Sequence, residues 1–225
     1  MRILHCSDLH GNRAWFNWLV KAAGNYDLVC VTGDHLDLTD FQSIDTQISM
    51  VRTTFEALGS PAALTSGNND SFNAEGSPLW LLQAKWLTDL RRHGCWVDGD
   101  EFEIERLRIR CVGWNARLPS ANGDELWLYH APPARSPASC DSRGRDVGDE
   151  ILGEMCRAGR GPALVLSGHQ HHPQQWACHV GRTWCLNPGQ GCDPSVPNHI
   201  VIDTLVRTAV LRIGGRDHST ADISS

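Results

Sequence analysis

The chain has no long hydrophobic run, no block of basic residues and no internal repeat. A helix needs roughly 20 apolar residues to cross a bilayer, so the sequence argues against a membrane-spanning protein. Lysine occurs only at Lys21 and Lys85, and the formal net charge is −6. Nonspecific duplex DNA binding depends on a basic face that neutralises many phosphates, so the composition also argues against a nucleic-acid partner.

The cysteines lack the spacing of a zinc site or a disulfide framework. There are nine of them, an odd number, with no CxxC pair, and four lie inside apolar runs: Cys6, Cys30, Cys111 and Cys185. This pattern favours buried, reduced thiols, although Cys178 and Cys185 could meet across a hairpin. The amino terminus runs straight into a predicted strand, which leaves no room for a removable signal peptide. We therefore expect a cytoplasmic protein.

The length of 225 residues predicts one large α/β domain over residues 1–213, followed by a flexible, small and polar tail over 214–225. Short apolar runs alternate with helical patterns in the first half, predicting strands at 2–7, 28–32 and 62–65 and helices at 15–23, 39–58 and 78–93. The second half predicts a further helix at 149–157 and then β-rich runs from residue 175 onward. We expect two packed mixed β-sheets flanked by helices.

Polar clusters follow most of these apolar runs. They are Asp8-Leu9-His10, Gly33-Asp34-His35, Gly67-Asn68-Asn69-Asp70, His130-Ala131-Pro132-Pro133 and Gly168-His169-Gln170-His171. Taken singly, each is also what an ordinary turn or a solvated histidine looks like. Taken together, carboxylate, amide and imidazole groups at repeated strand ends predict a site for two divalent ions. We expect Asp8 and His10, two apart on a still-extended backbone, to project to the same side.

The ordered motifs DxH, GD, GNxD, HxPP and GHxH resemble those of the calcineurin-like metallophosphoesterase superfamily, from Asp8 to about Asn187-Pro188-Gly189. The series His-Ala-Pro-Pro, Gly-His-Gln-His and Asn-Pro-Gly particularly resembles that of small prokaryotic phosphodiesterases, including the Icc-like group. The resemblance implies a metal-dependent phosphoric ester hydrolase that acts on a small phosphate ester. It implies a phosphodiesterase more than a monoesterase, with a metal-bridging hydroxide as nucleophile.

The resemblance also implies which residues hold the ions. The first ion would be bound by Asp8, His10, Asp34 and His171, and the second by Asp34, Asn68, His130 and His169. Asp34 would bridge the two ions and is the central catalytic residue. His172 is a rival for His171, but the GHxH pattern favours the latter. Mixed imidazole, carboxylate and amide ligands suit Mn, Fe, Zn or Ni better than Ca, and of these we expect Mn, with Fe, Zn or Ni as alternatives.

The chain departs from the superfamily at Asn69, where many members carry a histidine thought to protonate the leaving group or to contact the phosphate. We expect Asn69 to contact substrate and His35, beside Asp34, to be the candidate replacement acid. The long segment over residues 131–148 predicts a substrate-facing loop in which Arg135, Arg143 and Arg145 contact the ester.

Two other classes of function remain open at this point. The missing histidine is compatible with a noncatalytic metal-binding or protein-interaction module of the same fold, and a nuclease is a third reading that the acidic balance disfavours. A homo-oligomer is neither indicated nor excluded by the sequence.

Overall fold

The computed structural model describes residues 1–40, 42–71, 84–121 and 123–224. Within these ranges the chain forms two β-sheets that pack face to face, with helices on both outer faces. The strands are β1 (Arg2–Cys6), β2 (Leu28–Thr32), β3 (Ala62–Thr65), β4 (Cys95–Trp96), β5 (Glu101–Ile104), β6 (Leu107–Val112), β7 (Glu125–Tyr129), β8 (Leu164–Leu166), β9 (Ala177–Val180), β10 (Thr183–Leu186), β11 (His199–Asp203), β12 (Thr208–Ile213) and β13 (Arg216–Asp222). The predicted fold class is confirmed.

The first sheet has the order β13-β12-β11-β1-β2-β3-β4 and the second has the order β5-β6-β7-β8-β10-β9. Strands β1 to β4 are parallel, and so are β6, β7, β8 and β10. The carboxyl ends of parallel strands lie at one edge of a sheet, which is where open α/β sheets place their ligands. Both sheets therefore offer a row of strand ends on which functional loops can be built.

The helices are α1 (Arg13–Ala23), α2 (Ile44–Glu56), α3 (Lys85–Thr88) and α4 (Glu150–Arg157), with a 3-10 helix at Asp89–His93. Helices α1, α2 and α3 cover the first sheet and α4 covers the second. Between the sheets lies a core of side chains from both, including Ile3, Cys30, Ala63, Ile109, Leu128 and Leu166. Each sheet is thus buried on both faces near its centre, which explains why the central strands read as continuous apolar runs.

The prediction of a flexible tail over residues 214–225 is wrong for most of that segment. Strand β13 occupies Arg216–Asp222 and pairs antiparallel with β12 at the edge of the first sheet. An edge strand exposes one whole side, so its side chains can be polar and give no hydrophobic signal.

The boundaries of two helices also differ from the predicted ones. The helix predicted at 39–58 is shorter, because Ser43 caps α2 by accepting the N–H of Thr46. Of the helix predicted at 78–93, residues 78–83 lie outside the described ranges and the remainder is α3 with the 3-10 helix. No helix in the described part of the chain combines the length and the apolar character needed to cross a membrane.

Candidate metal centre

The loops that leave β1, β2, β3, β7 and β8 meet at one edge of the sandwich. Hydrogen bonds tie them pairwise: the N–H of Asp8 donates to the carbonyl of Gly33 at 3.2 Å, and the N–H of Gly168 donates to the carbonyl of His130 at 2.9 Å. The N–H of His169 crosses between the sheets to Asp8 Oδ2 at 3.1 Å. The polar clusters that are far apart in the sequence are therefore neighbours in the fold.

The backbone at four of the expected ligands is left-handed rather than extended. The φ angles are 55° at Asp8, 41° at His10, 50° at Asp34 and 63° at His169. The N–H of His10 donates to the carbonyl of Asp34 at 2.9 Å, which fastens the loop after β1 to the loop after β2. The expectation of an extended Asp8-Leu9-His10 segment is wrong, since a tight turn aims the two side chains inward.

Asp8, His10, Asp34 and His171, here called the first-ion group, place their ligand atoms within 4.8 Å of one another. The Nε2 atoms of His10 and His171 are 3.2 Å apart, and His171 Nε2 is 3.3 Å from Asp8 Oδ1. Two imidazole nitrogens and two carboxylates form a donor set that suits a divalent transition metal. His171, and not the exposed His172, belongs to this group.

Asp34, Asn68, His130 and His169, here called the second-ion group, lie on the other side of Asp34. His130 Nε2 is 3.4 Å from Asp34 Oδ1 and 3.3 Å from Asn68 Oδ1. The other ring nitrogen, Nδ1, lies 2.7 Å from the carbonyl oxygen of Thr32, which makes Nδ1 the donor and directs Nε2 at the site. The ring of His169 packs 5.1 Å from that of His130, centroid to centroid. The binding of a second ion by these four residues, with Asp34 shared between the two ions, stays a prediction.

Two glycines make room for the ligands. A Cβ atom at Gly67 would overlap Asp34 Oδ1, and one at Gly168 would overlap the hydroxyl of Ser7. Any larger residue would have to displace a buried ligand or its neighbour. The glycines of the GN and GH motifs are therefore required by close packing.

Burial and mutual charge set the protonation of the group. Burial lowers the pKa of His130, but the carboxylates of Asp34 and Asp8 outweigh this effect and raise it to about 9. Burial raises the pKa of Asp34, but His130 and the N–H of Asn69 outweigh burial and hold that pKa below its usual range. Burial and the neighbouring His130 lower the pKa of His169 to about 4. At neutral pH, Asp34 is therefore ionised and His169 is neutral, as metal ligation requires, whereas His130 must lose a proton.

Asp70 organises the site from behind, a role that the sequence analysis did not assign. Its Oδ1 accepts the backbone N–H groups of His35 and Leu36, and its Oδ2 accepts that of Gly67. Asp70 is fully buried and so fastens the loop after β2 to the loop after β3. The sequence did mark this residue, because Asp70 is the last position of the GNxD motif.

His35 does not face the metal centre. It is fully buried, its Nδ1 lies 2.9 Å from Asp70 Oδ2, and its ring packs edge-on against Phe55 and Trp86. A general acid must reach the leaving oxygen, and a side chain in the core beneath the loops cannot do so. This burial contradicts the prediction that His35 is the replacement acid.

Asn69 lies at the centre of the site. Its side-chain amide donates to Asp34 Oδ2 at 2.7 Å, and its backbone N–H donates to Asp34 Oδ1 at 2.8 Å. Both oxygens of the carboxylate that would bridge the ions are thus oriented by one residue. A contact between Asn69 and substrate stays a prediction.

Arg143 and Arg145 lie on an exposed turn of the loop after β7. Asp141 Oδ1 accepts the backbone N–H groups of both arginines, at 2.8 Å and 2.9 Å. Gln174, three residues beyond His171, donates its side-chain amide to the carbonyl of Asp141 at 2.7 Å. This hydrogen bond fastens the turn to the segment that follows His171 in the chain. Arg135, by contrast, forms an ion pair with Glu150 at 3.1 Å.

Asn187 and Trp114 are two further neighbours that the sequence analysis did not single out. The buried side-chain amide of Asn187 donates to the carbonyls of Gly168 and Gln170 and so holds the GHxH loop in place. The indole of Trp114 packs 5.6 Å from the ring of His130 and 5.2 Å from that of His169, centroid to centroid. Asn187 occurs in the Asn-Pro-Gly motif, whereas Trp114 follows an apolar run and belongs to none of the motifs.

A family model for calcineurin-like phosphoesterases matches residues 1–173. That match spans more than half of the sequence, so the chain belongs to the calcineurin-like phosphoesterase family. No curated protein sequence matches the chain significantly.

Solved structures share the fold at low sequence identity. An archaeal phosphodiesterase superposes with a TM-score of 0.56 at 19% identity, covering 95% of this chain and 99% of that one. Purple acid phosphatase PPD1 from yellow lupin (Lupinus luteus) seeds gives 0.61 at 11% identity, covering 98% of this chain and 53% of that one. Phosphopantetheinyl hydrolase from Mycobacterium tuberculosis gives 0.54 at 11% identity, covering 83% and 88%. These likenesses bear on the fold alone.

Proposed function

We propose that this protein is a binuclear metal-dependent phosphoesterase that prefers small phosphodiesters with activated leaving groups. The observation that carries the proposal is a cluster of donors around Asp34: the ligand atoms of Asp8, His10 and His171 lie with its carboxylate within 4.8 Å of one another, and His130 Nε2 lies 3.4 Å from its Oδ1. A noncatalytic module would be under no pressure to keep every donor of both groups in place. We propose divalent transition-metal ions, with Mn as the first to test and Fe, Zn or Ni as alternatives, because a mixture of imidazole, carboxylate and amide donors suits these metals better than Ca.

Two divalent ions, when bound, lower the pKa of water and polarise a phosphoryl oxygen. The protein's own part is to position these ions and to set the local charge. The carboxylates of Asp8 and Asp34 offset only part of the charge of two divalent ions, which leaves an excess of about two positive charges to attract a phosphate anion. The buried amide of Asn187 and the carboxylate of Asp70 keep the loops from moving apart.

The preference for activated leaving groups follows from Asn69. An amide cannot donate a proton to a departing alkoxide as an acid does, and His35 is buried away from the site. Aryl esters leave as stabilised phenolates and need no such proton. We propose that this favours aryl phosphodiesters over unactivated alkyl monoesters.

The test is turnover by Mn-loaded protein of bis(p-nitrophenyl) phosphate and of glycerol phosphate. We expect the diester to be hydrolysed faster, and the variant Asn69→His to accelerate the alkyl ester more than the aryl diester. General-acid catalysis contributes typically about 10²–10⁴-fold, so the change in selectivity should be easily visible.

The matched control is Asn69→Gln, which keeps an amide at this position and supplies no acid. It should leave the ratio of the two rates close to that of the wild type. Equal acceleration of both esters by Asn69→His, or a wild-type preference for the alkyl monoester, would contradict this account of substrate choice. Absence of hydrolysis with metals bound would favour the noncatalytic alternative.

We propose that Arg143 and Arg145 contact the part of the ester remote from phosphorus. Their turn is exposed and is fastened next to the segment that follows His171. Replacing both by Ala should raise KM for an anionic diester a few-fold with little change in kcat. Arg135→Ala is the matched control, because that guanidinium is already paired with Glu150. An unchanged KM in the double variant would reject the contact.

We also propose that the protein works in the cytoplasm on a small phosphate ester. All nine cysteines are free thiols and seven of them are buried. A reducing compartment preserves this state.

A further inference from the structure

Trp114 differs from the core tryptophans in its position. Trp127 is fully buried and donates its indole N–H to Glu125, and Trp86 is buried and donates to the carbonyl of Asp70. Trp114 is only partly buried and packs directly against His130 and His169 of the second-ion group. A large, partly exposed aromatic side chain beside metal ligands lies within reach of a substituent on a phosphate that those ions would bind.

The backbone around Trp114 is firmly held. A turn closes from the N–H of Ala116 to the carbonyl of Gly113 at 3.1 Å, and the N–H of Trp114 donates to Ser66 Oγ at 2.9 Å. Ser66 Oγ in turn donates to Asp98 Oδ2 at 2.6 Å. The backbone at Trp114 is thus anchored to both sheets, because Ser66 follows β3 and Trp114 follows β6, and the indole itself packs against the rings of His130 and His169. A pre-positioned aromatic side chain loses little freedom on binding, which favours its use in recognition.

We infer that Trp114 is a specificity-determining residue whose indole stacks against a planar aromatic substituent of the ester. This inference rests on the proposed function, since it assumes that the phosphate is bound by the two ions. It adds the substrate class: an aryl ester or a nucleotide, in preference to an aliphatic ester of equal bulk. Stacking of a base on an aromatic side chain is worth roughly 5- to 150-fold in affinity.

Binding of non-hydrolysable phosphonates separates this inference from catalysis. We would measure the affinity of Mn-loaded protein for methylphosphonate, cyclohexylphosphonate and phenylphosphonate by calorimetry. The wild type should bind phenylphosphonate about tenfold more tightly than cyclohexylphosphonate. Trp114→Leu should abolish this preference, and Trp114→Phe should keep most of it.

The control variant is Trp176→Leu. Trp176 lines a groove of about 1030 Å³ to which His171 of the first-ion group also contributes and Trp114 does not. This variant should keep the wild-type preference for the phenyl group. If Trp176→Leu abolishes the preference instead, the groove holds the ring and the inference is wrong.

Methylphosphonate distinguishes stacking from a structural role. If Trp114 only orients His130 and His169, then Trp114→Leu weakens all three phosphonates equally, which would overturn the inference. A wild type without any preference for phenylphosphonate would overturn it as well. Failure of the proposed function is separate, because it would show as absent turnover of bis(p-nitrophenyl) phosphate even where the binding preference is present.

Discussion

The two sides of the metal centre are held in different ways. In the first-ion group the side chains of His10 and His171 are 14% and 37% exposed, and their rings contact each other and the carboxylates of Asp8 and Asp34. In the second-ion group His130 is fully buried, its Nδ1 is fixed on the carbonyl of Thr32, and Trp114 packs against its ring. The fold itself positions His130 on the second side, whereas on the first side the rings of His10 and His171 contact each other and the two carboxylates.

This difference assigns separate tasks to the two sides. A buried imidazole with a backbone partner keeps its orientation whether or not an ion is bound. A partly exposed imidazole is free to turn until a cation fixes it. We therefore expect the second-ion group to contribute to the stability of the protein and the first-ion group to its response to added metal.

The largest effect is expected at Asp34, the residue that both sides share. Asp34→Asn removes one charge and one ligand oxygen from the only carboxylate that both ion groups contain. We expect the loss of one bound ion and a fall in turnover greater than that from any ligand of a single ion. Metal analysis and kinetics on the same preparation test this, and a variant with two tightly bound ions and near-native turnover would show that Asp34 is not the bridge.

The comparison is tested directly by His130→Ala and His10→Ala, two truncations of the same residue type. His130→Ala opens a cavity in the core and removes a buried hydrogen bond, so it should lower the free energy of unfolding by about 2–4 kcal/mol. His10→Ala removes a partly exposed ring and should cost less than about 1 kcal/mol. Urea denaturation in the presence of a chelator measures both. Equal losses would mean that the two sides are held alike.

We expect pH to have a smaller and gradual effect on the stability of the metal-free protein and on its affinity for the ion that His130 would bind. The pKa of His130 is raised from 6.5 to about 9 in the metal-free protein. The protonated imidazole therefore stabilises the metal-free fold below pH 6.5, and this contribution is lost as the pH rises through about 9. An ion must displace that proton, so its affinity should rise roughly tenfold per pH unit between 7 and 9 and then level off.

Competition with a chelator of known pH dependence would measure this effect. His130→Asn is the control, because it keeps a ligand oxygen without a titrating ring, and its affinity should change little over the same range. A wild-type affinity that is constant between pH 7 and 9 would contradict the raised pKa.

The sequence predicted the fold class because the central strands are apolar and alternate with helices. It missed β13, whose residues from Arg216 to Asp222 are polar and pair only along one edge. It also placed the start of α2 too early, since the helical pattern does not show where Ser43 caps it. The periodicity of apolar residues indicates which side chains are buried. The edge strand β13 and the start of α2 are determined by hydrogen bonds instead.

The candidate ligands were predicted from ordered motifs, but their surroundings were not. His35 adjoins Asp34 in the chain, and only the fold shows that Asp70, 35 residues away, holds its ring in the core. Trp114 has no motif that separates it from a core tryptophan. Local spacing predicts which residues follow a strand, whereas the direction of each side chain depends on contacts between distant loops.

The left-handed backbone at Asp8, His10, Asp34 and His169 implies a trade-off between stability and activity. Residues with side chains in this conformation cost of order 1–3 kcal/mol each, at the lower end for Asp and His. Glycine would relax each position but would remove a ligand. The strain at these four positions is therefore a cost in stability that accompanies the placement of the ligands.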